Sequence, residues 1–241
     1  MNELTHLDLC SGIGGFALAF EREGFRTVGF AEIEPYCCRI LAKHWPKVRN
    51  YGDLRTVPAV QCCVITAGFP CQPFSVAGQR RGAADNRYLW PAVRDVIDRC
   101  RPAWFLGENV TGIIGLELDR VLVDLEGIGY AVQPFVIPAC ARELPTVERH
   151  VWIVATPRRP ILEGSPAQRL SRKASIAIRW SDCPGDAFRR DFAHLPEPIL
   201  LASRKGIPDY VAEIEAIGNA IPPPIAQIFA CAIRQTIEAY P

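Results

Sequence analysis

Leu7-Asp8-Leu9-Cys10-Ser11-Gly12-Ile13-Gly14-Gly15 runs from a short apolar stretch into a glycine-rich turn, and Phe16-Ala17-Leu18-Ala19-Phe20 follows with helical character. A strand that feeds a helix through glycines is the opening of a βαβ unit, and glycine lets a ligand come close to the backbone of the turn. The next apolar run, Thr27-Val28-Gly29-Phe30-Ala31, ends on Glu32, where nucleotide-binding βαβ units hold ribose hydroxyls. By itself this pattern fits many nucleotide-dependent enzymes, or simply a tight packing turn.

Working outward, apolar runs at 6–10, 27–31, 63–68, 103–108, 130–137 and 150–155 read as strands. Helical patterns lie between and after them, at Gly14 to Arg22, Pro35 to His44, Tyr88 to Cys100, Leu116 to Leu125 and Pro222 to Ile237. In the third of these, Leu89, Trp90, Val93, Val96, Ile97 and Cys100 recur at helical spacing as a core-facing stripe. The alternation predicts an α/β fold, a mostly parallel sheet with helices on both faces and ligands at the carboxyl ends of the strands. There is no internal repeat.

The run Cys63-Val64-Ile65-Thr66-Ala67-Gly68 enters Phe69-Pro70-Cys71-Gln72-Pro73-Phe74-Ser75, where two prolines bar helix or central strand through Cys71. A cysteine on a strand-end loop is a candidate nucleophile. Most of the ten cysteines, including the pairs Cys37-Cys38 and Cys62-Cys63, instead lie within apolar segments as small core residues. No C-x-x-C pair exists, so reduced thiols and no metal site are expected.

Read in order, the glycine turn, Gly52-Asp53-Leu54-Arg55, Pro70-Cys71-Gln72, Gly107-Glu108-Asn109-Val110 and Ala216-Ile217-Gly218-Asn219-Ala220-Ile221-Pro222 resemble the DNA cytosine carbon-5 methyltransferases of the small bacterial or phage kind. The resemblance covers residues 4 to 156 almost continuously and resumes around Gly206 to Ile233. It implies a Rossmann-like methyltransferase fold with a late antiparallel strand, S-adenosylmethionine as methyl donor, and double-stranded DNA presenting a flipped cytosine. It also implies Cys71 as nucleophile at carbon 6, Glu108 as partner of ring nitrogen 3 and the exocyclic amine, and Asn109 as the shaper of that turn. Cofactor contacts carried over by the resemblance are Leu9, Cys10, Ser11, Gly12, Gly14, Gly15, Glu32, Ile33, Asp53, Leu54, Pro70, Asn219 and Ala220. Asp53 as a turn-former and Asn219 as a helix cap are the plain alternatives.

The polar, glycine-hinged segment after Cys71 offers Gln79, Arg80, Arg81 and Arg87 for nucleic acid, against the reading of a solvated loop. One stretch departs from the family. Where its members carry Gln-x-Arg-x-Arg after a proline, the residues here are Thr146, Glu148 and His150, so Arg149 is taken as the cytosine-binding arginine, with His150 as a second donor. That departure keeps a catalytically impaired DNA-binding homologue open. An RNA cytosine methyltransferase and a nicotinamide-dependent oxidoreductase are the remaining alternatives, the last leaving Pro70-Cys71-Gln72 and Glu108-Asn109-Val110 without a purpose.

The 241 residues, 49% of them hydrophobic, are enough for one catalytic domain with a small appendage. The net charge of +1 conceals an asymmetry: Pro157 to Lys205 holds ten Lys or Arg against five Asp or Glu, about +5, leaving about −4 elsewhere. The expected layout is a catalytic core at 1–156, a short basic target-recognition segment at 157–205, and a C-terminal part of the core at 206–241. A segment of roughly fifty residues suits a short target or relaxed specificity. No apolar run is long enough to cross a membrane and the first strand begins within a few residues of Met1, so a cytoplasmic monomer in a bacterial or phage-infected cell is expected.

Overall fold

Apolar side chains on both faces of β1 (Thr5–Leu9) and β3 (Val64–Gly68) require the middle of the sheet to be covered on both sides, and Leu7, Leu9, Val64, Ile65 and Ala67 are completely buried. A computed structural model of the chain describes residues 3–70, 88–138, 149–158 and 221–239. Around the central pair lie β2 (Arg26–Ala31), β4 (Trp104–Val110), β5 (Tyr130–Pro138) and β6 (Arg149–Pro157), in the spatial order β2-β1-β3-β4-β6-β5. The first four are parallel, and β6 runs against both β4 and β5. This is the expected α/β sheet with its late antiparallel strand. β5, with Pro134 in its middle, occupies an edge, where a missing N–H is tolerated.

Among the described residues five α-helices accompany the sheet: α1 (Gly15–Arg22), α2 (Pro35–His44), α3 (Trp90–Cys100), α4 (Leu118–Gly127) and α5 (Pro223–Ala239). Pro35 starts α2 at a first-turn position where its absent N–H costs nothing. On one face of the sheet Leu7, Leu9, Ile65, Ala67, Phe105, Val151 and Ile153 share a core with Trp90, Val93, Val96 and Ile97 of α3 and Val121 and Leu125 of α4. On the other, the Trp152 ring of β6 stands 6.0 Å from Phe16 of α1, edge-on, and 5.1 Å from Phe229 of α5, stacked. Burial of these rings joins the C-terminal helix to the N-terminal βα unit, and Gln227 of α5 donates to Glu23 at 2.8 Å.

Two helices begin later than their patterns suggest. Tyr88 stays outside α3, where its hydroxyl donates to Glu117 at 2.8 Å, and a 3-10 turn at Thr111–Gly115 delays α4 to Leu118. The reversal of strand order falls at β1, whose chain neighbour β2 lies on one side and β3 on the other. Ligands of open α/β sheets bind in the crevice outside the carboxyl ends at such a point.

Candidate active site

At that point the turn after β1 is wound tightly. Cys10 and Gly12 have φ of 50° and 53°, Ser11 Oγ donates to the Asp8 carbonyl at 2.7 Å, and the Gly14 N–H donates to the Ser11 carbonyl at 2.9 Å. A Cβ at Gly15 would stand 2.7 Å from the Ile221 carbonyl oxygen, and one at Gly68 would meet the Ile221 side chain at the same distance. Glycine at both positions therefore lets Ile221, the residue after Ala220, settle over the ends of β1 and β3.

Glu32 follows β2 and turns its carboxylate back toward this turn. Oε2 accepts from the Gly12 N–H at 2.7 Å, and Oε1 accepts from the Ile33 and Glu34 N–H groups at 2.8 Å each. An ionised carboxylate offers about four acceptor positions, so three amides leave room for one more donor. Beside it the Ile33 side chain is 70% exposed, a bare apolar surface next to a fixed anion. An acceptor and an apolar face at the switch point suit a nucleoside with ribose hydroxyls and a flat base. Leu9, Ser11 and Leu54 are buried.

Asn50 escaped the sequence reading. Its Oδ1 accepts from the N–H groups of Glu32 and Gly52, both at 3.1 Å, and its Nδ2 donates to the Glu32 carbonyl at 3.0 Å. It ties Glu32 to the Gly52-Asp53 turn, and an isolated bridge between Phe30 and Asn50 is the backbone counterpart. Asp53 caps the short 3-10 helix Leu54–Thr56 by accepting from the Arg55 N–H at 2.9 Å, which is the turn-forming role.

The second half of the site lies across β3 and β4. Glu108 sits opposite Gly68 in the parallel register, so its carboxylate stands one strand away from the chain that leads through Phe69 and Pro70 to Cys71. It is only 7% exposed, and Oε1 is hydrogen-bonded to Nδ1 of His150 on β6. Oε2 points the other way, 3.8 Å from where a Cβ on Gly68 would be. Next to it Asn109 donates from Nδ2 to the Phe69 carbonyl at 2.7 Å and accepts the Val110 N–H at 2.9 Å. Asn109 thus fixes the strand end two residues before Cys71, a shaping role made concrete. The Phe69 ring is anchored in turn by Trp90, 5.2 Å away.

The structure brings His150, and not Arg149, to Glu108. Neighbours on a strand project to opposite faces, and the side chain sharing a face with Glu108 is that of His150. The sequence alone carried no information on which face of β4 the acid occupies, and so did not show the contact between Glu108 and His150.

Three of the described thiols are poor nucleophiles. Burial pushes Cys37 and Cys62 up to about 12, and Cys10 is raised strongly by burial and then by the Glu32 and Asp8 carboxyls. Cys71, Gln79, Arg80, Arg81, Arg87, Asn219, Ala220 and the basic stretch beyond Arg158 lie outside the described residues. Among the described residues no group of His, Cys, Asp and Glu could hold a metal ion, and no helix is long and apolar enough to cross a membrane.

A glycine turn, an acid after β2 and a second acid one strand from Phe69-Pro70, all on a doubly wound sheet with one antiparallel strand, place the chain in the Rossmann-like methyltransferase fold class. The profile of the C-5 cytosine-specific DNA methylases matches residues 4–179, and the chain belongs to that family. It is 35% identical over 141 residues to the type II methyltransferase M.HgiCII of Herpetosiphon aurantiacus, covering 55% of this chain and 32% of the relative. It is 30% identical over 220 residues to M.MspI of Moraxella sp, covering 87% and 51%. Among solved structures, the S. pombe Dnmt2 methyltransferase shares the fold with a TM-score of 0.56 at 22% identity, over 66% of this chain and 52% of that one. In these alignments the chain spans about a third to a half of the length of the curated relatives.

Proposed function

We propose that this protein methylates carbon 5 of cytosine in double-stranded DNA, using S-adenosylmethionine and a transient bond from Cys71 to the base. The observation that carries this reading is the almost buried Glu108, one strand from the loop of Cys71, with one carboxylate oxygen held by His150 and the other directed toward β3. S-adenosylmethionine, when bound, supplies an electrophilic methyl group. Glu32 would hold its ribose, Ile33 its adenine, and the Cys10 to Gly15 turn its amino-acid end, with Leu9, Leu54, Asp53, Pro70, Asn219 and Ala220 completing the wall.

Carbon 5 of cytosine is too weakly nucleophilic to accept a methyl group unaided. The Cys71 thiolate adds to carbon 6, the carbon 5–carbon 6 π pair shifts toward carbon 4, and ring nitrogen 3 takes the proton of the Glu108 carboxyl. Carbon 5 is then enamine-like and accepts the methyl. Ring nitrogen 3 then returns its proton to Glu108, and loss of the carbon 5 proton to solvent lets the thiolate leave and restores the ring. Attack requires both faces of the ring, hence a flipped nucleotide. Gln79, Arg80, Arg81 and Arg87 are assigned to DNA, and the basic segment 157–205 to target recognition between core parts 1–156 and 206–241, in a cytoplasmic monomer.

The test is a duplex carrying 5-fluorocytosine, which blocks proton loss from carbon 5 and traps the adduct. The wild-type protein should form a covalent complex through Cys71, and Cys71→Ser should form none and lose methylation by at least about a thousandfold while still binding the donor. Turnover by Cys71→Ser equal to wild type would remove the covalent mechanism. Bisulfite sequencing of DNA from cells expressing the protein then reads the target site.

A further inference from the structure

Glu108 is a two-ended acid. One oxygen meets Nδ1 of His150 and the other faces the strand that leads to Cys71, so a change at His150 is felt at the oxygen that would meet the base. The family pattern quoted above leads one to expect arginine at position 150, a permanent charge. Histidine puts at that position a charge that comes and goes near neutral pH, and here it contacts Glu108.

We propose that His150 is a titratable positioning residue: as imidazolium it holds Glu108 Oε1 and stabilises the carboxylate left when the Oε2 proton moves to the pyrimidine ring, so the methylation step is gated by the His150 proton. The step balances without another reactant. The Glu108 carboxylate takes a proton from solvent as the base enters; in the step itself that O–H bond breaks, the N–H bond at ring nitrogen 3 forms, and the electron pair from sulfur becomes the S–C bond at carbon 6, while His150 keeps its own proton throughout. This inference rests on the proposed cytosine chemistry at Glu108, but the contact between the two side chains does not.

The surroundings of His150 make its proton matter. Among the described residues, Glu108 faces it from β4, Arg149 flanks it on its own strand, and Phe135–Pro138 of β5 and the turn Thr111–Gly115 contribute no titratable residue; 139–148, which lead into its strand, lie outside the described residues. Hydrogen bonds with an ionised donor are roughly twice as strong as neutral ones. Loss of the imidazolium charge should therefore slow the step by about tenfold, and arginine at the same place should not titrate at all.

Two measurements test this. In single turnover on duplex DNA between pH 6 and 9, the wild-type rate should contain a roughly tenfold fall that His150→Arg lacks, while His150→Gln should be about tenfold slower and lack it too. Identical profiles for wild type and His150→Arg, or a His150→Gln rate equal to wild type, would overturn the proposal. Separately, nitrogen-15 NMR of the four histidines without DNA should show the His150 pKa about one unit or more lower in Glu108→Gln than in wild type. No change there would refute the coupling whatever the enzyme does. A coupled pair in a protein that leaves 5-methylcytosine nowhere would instead refute the methylation reading and leave the contact standing.

Discussion

The sheet contains two buried pairs of a carboxyl and a histidine, and their positions along the strands separate structure from chemistry. Asp8 and His6 lie within β1 and meet only through Thr66 of β3, with both hydrogen bonds 2.8 Å long. Both are wholly buried, His6 is stacked on Phe20 at 4.5 Å, and neither Asp8 Oδ2 nor His6 Nδ1 has a partner. Glu108 and His150 are in direct contact toward the carboxyl end of β4, beside the chain leading to Cys71. The same two functional groups make a closed core network in one place and a reachable acid in the other. What differs is depth in the sheet and whether a hydroxyl stands between them.

Glu108→Gln breaks the comparison most severely. An amide keeps the size of the side chain but has no carboxyl proton to give, so the single-turnover methylation rate should fall by about a hundred- to a thousandfold. Affinity for duplex DNA should change far less, because phosphate contacts supply most of it. Equal losses in rate and in DNA affinity would place Glu108 in binding and not in proton transfer. The thermal midpoint is the control, and the variant should melt close to wild type.

How far the sequence could distinguish these two sites depends on which contacts are local. Strand-to-helix alternation placed all six strands within two residues of where they lie, because each is a run of β-branched and aromatic residues bounded by Gly, Pro or a polar turn. Glu32, Glu108 and Asn109 could be placed at strand ends because each closes or follows such a run, whereas Cys71 lies outside the described residues. The contact from His150 to Glu108 was not, since it depends on the cross-strand register of β4 and β6, which are separated by the whole of α4 and β5. Asn50 was missed for a related reason: its work is done mostly with backbone groups, for which the sequence carries no signal beyond a residue able to make a turn. The polar residues of β1 and β3 went unread because Thr66, His6 and Asp8 interrupt apolar runs without breaking them.

Asn109 sharpens the comparison from the side of geometry. It joins the Glu108 strand to the Phe69 carbonyl, so Asn109→Ala leaves a buried carbonyl and the Val110 N–H without their side-chain partner. The cost should be about 1–3 kcal/mol of stability, read by urea unfolding. Because the freed strand end carries Cys71, adduct formation with 5-fluorocytosine should slow by about tenfold while donor affinity holds. Unaltered adduct kinetics would mean that the loop is positioned by other contacts.

The smallest effect tests the closed pair, through pH and not through rate. Burial raises Asp8 well above its ordinary 3.8 and drives His6 from 6.5 to about 3, so in the folded protein both are neutral across the intervening range. Between about pH 4 and 6.5 the unfolded chain has a charged Asp8 and a charged His6, which together bind as many protons as the neutral pair. The two slopes cancel: stability conferred by Asp8 is lost as pH rises above 3.8, and stability conferred by His6 is lost as pH falls below 6.5. Asp8→Asn removes one slope and exposes the other. Relative to wild type, its unfolding free energy should then fall by up to about 1.4 kcal/mol for each pH unit below 6.5, in urea melts at pH 6.5, 5.5 and 4.5. Parallel profiles for wild type and Asp8→Asn would show that the two groups do not offset each other. The closed pair would then be no more than two independently buried residues, and Thr66 would lose its place as the link between them.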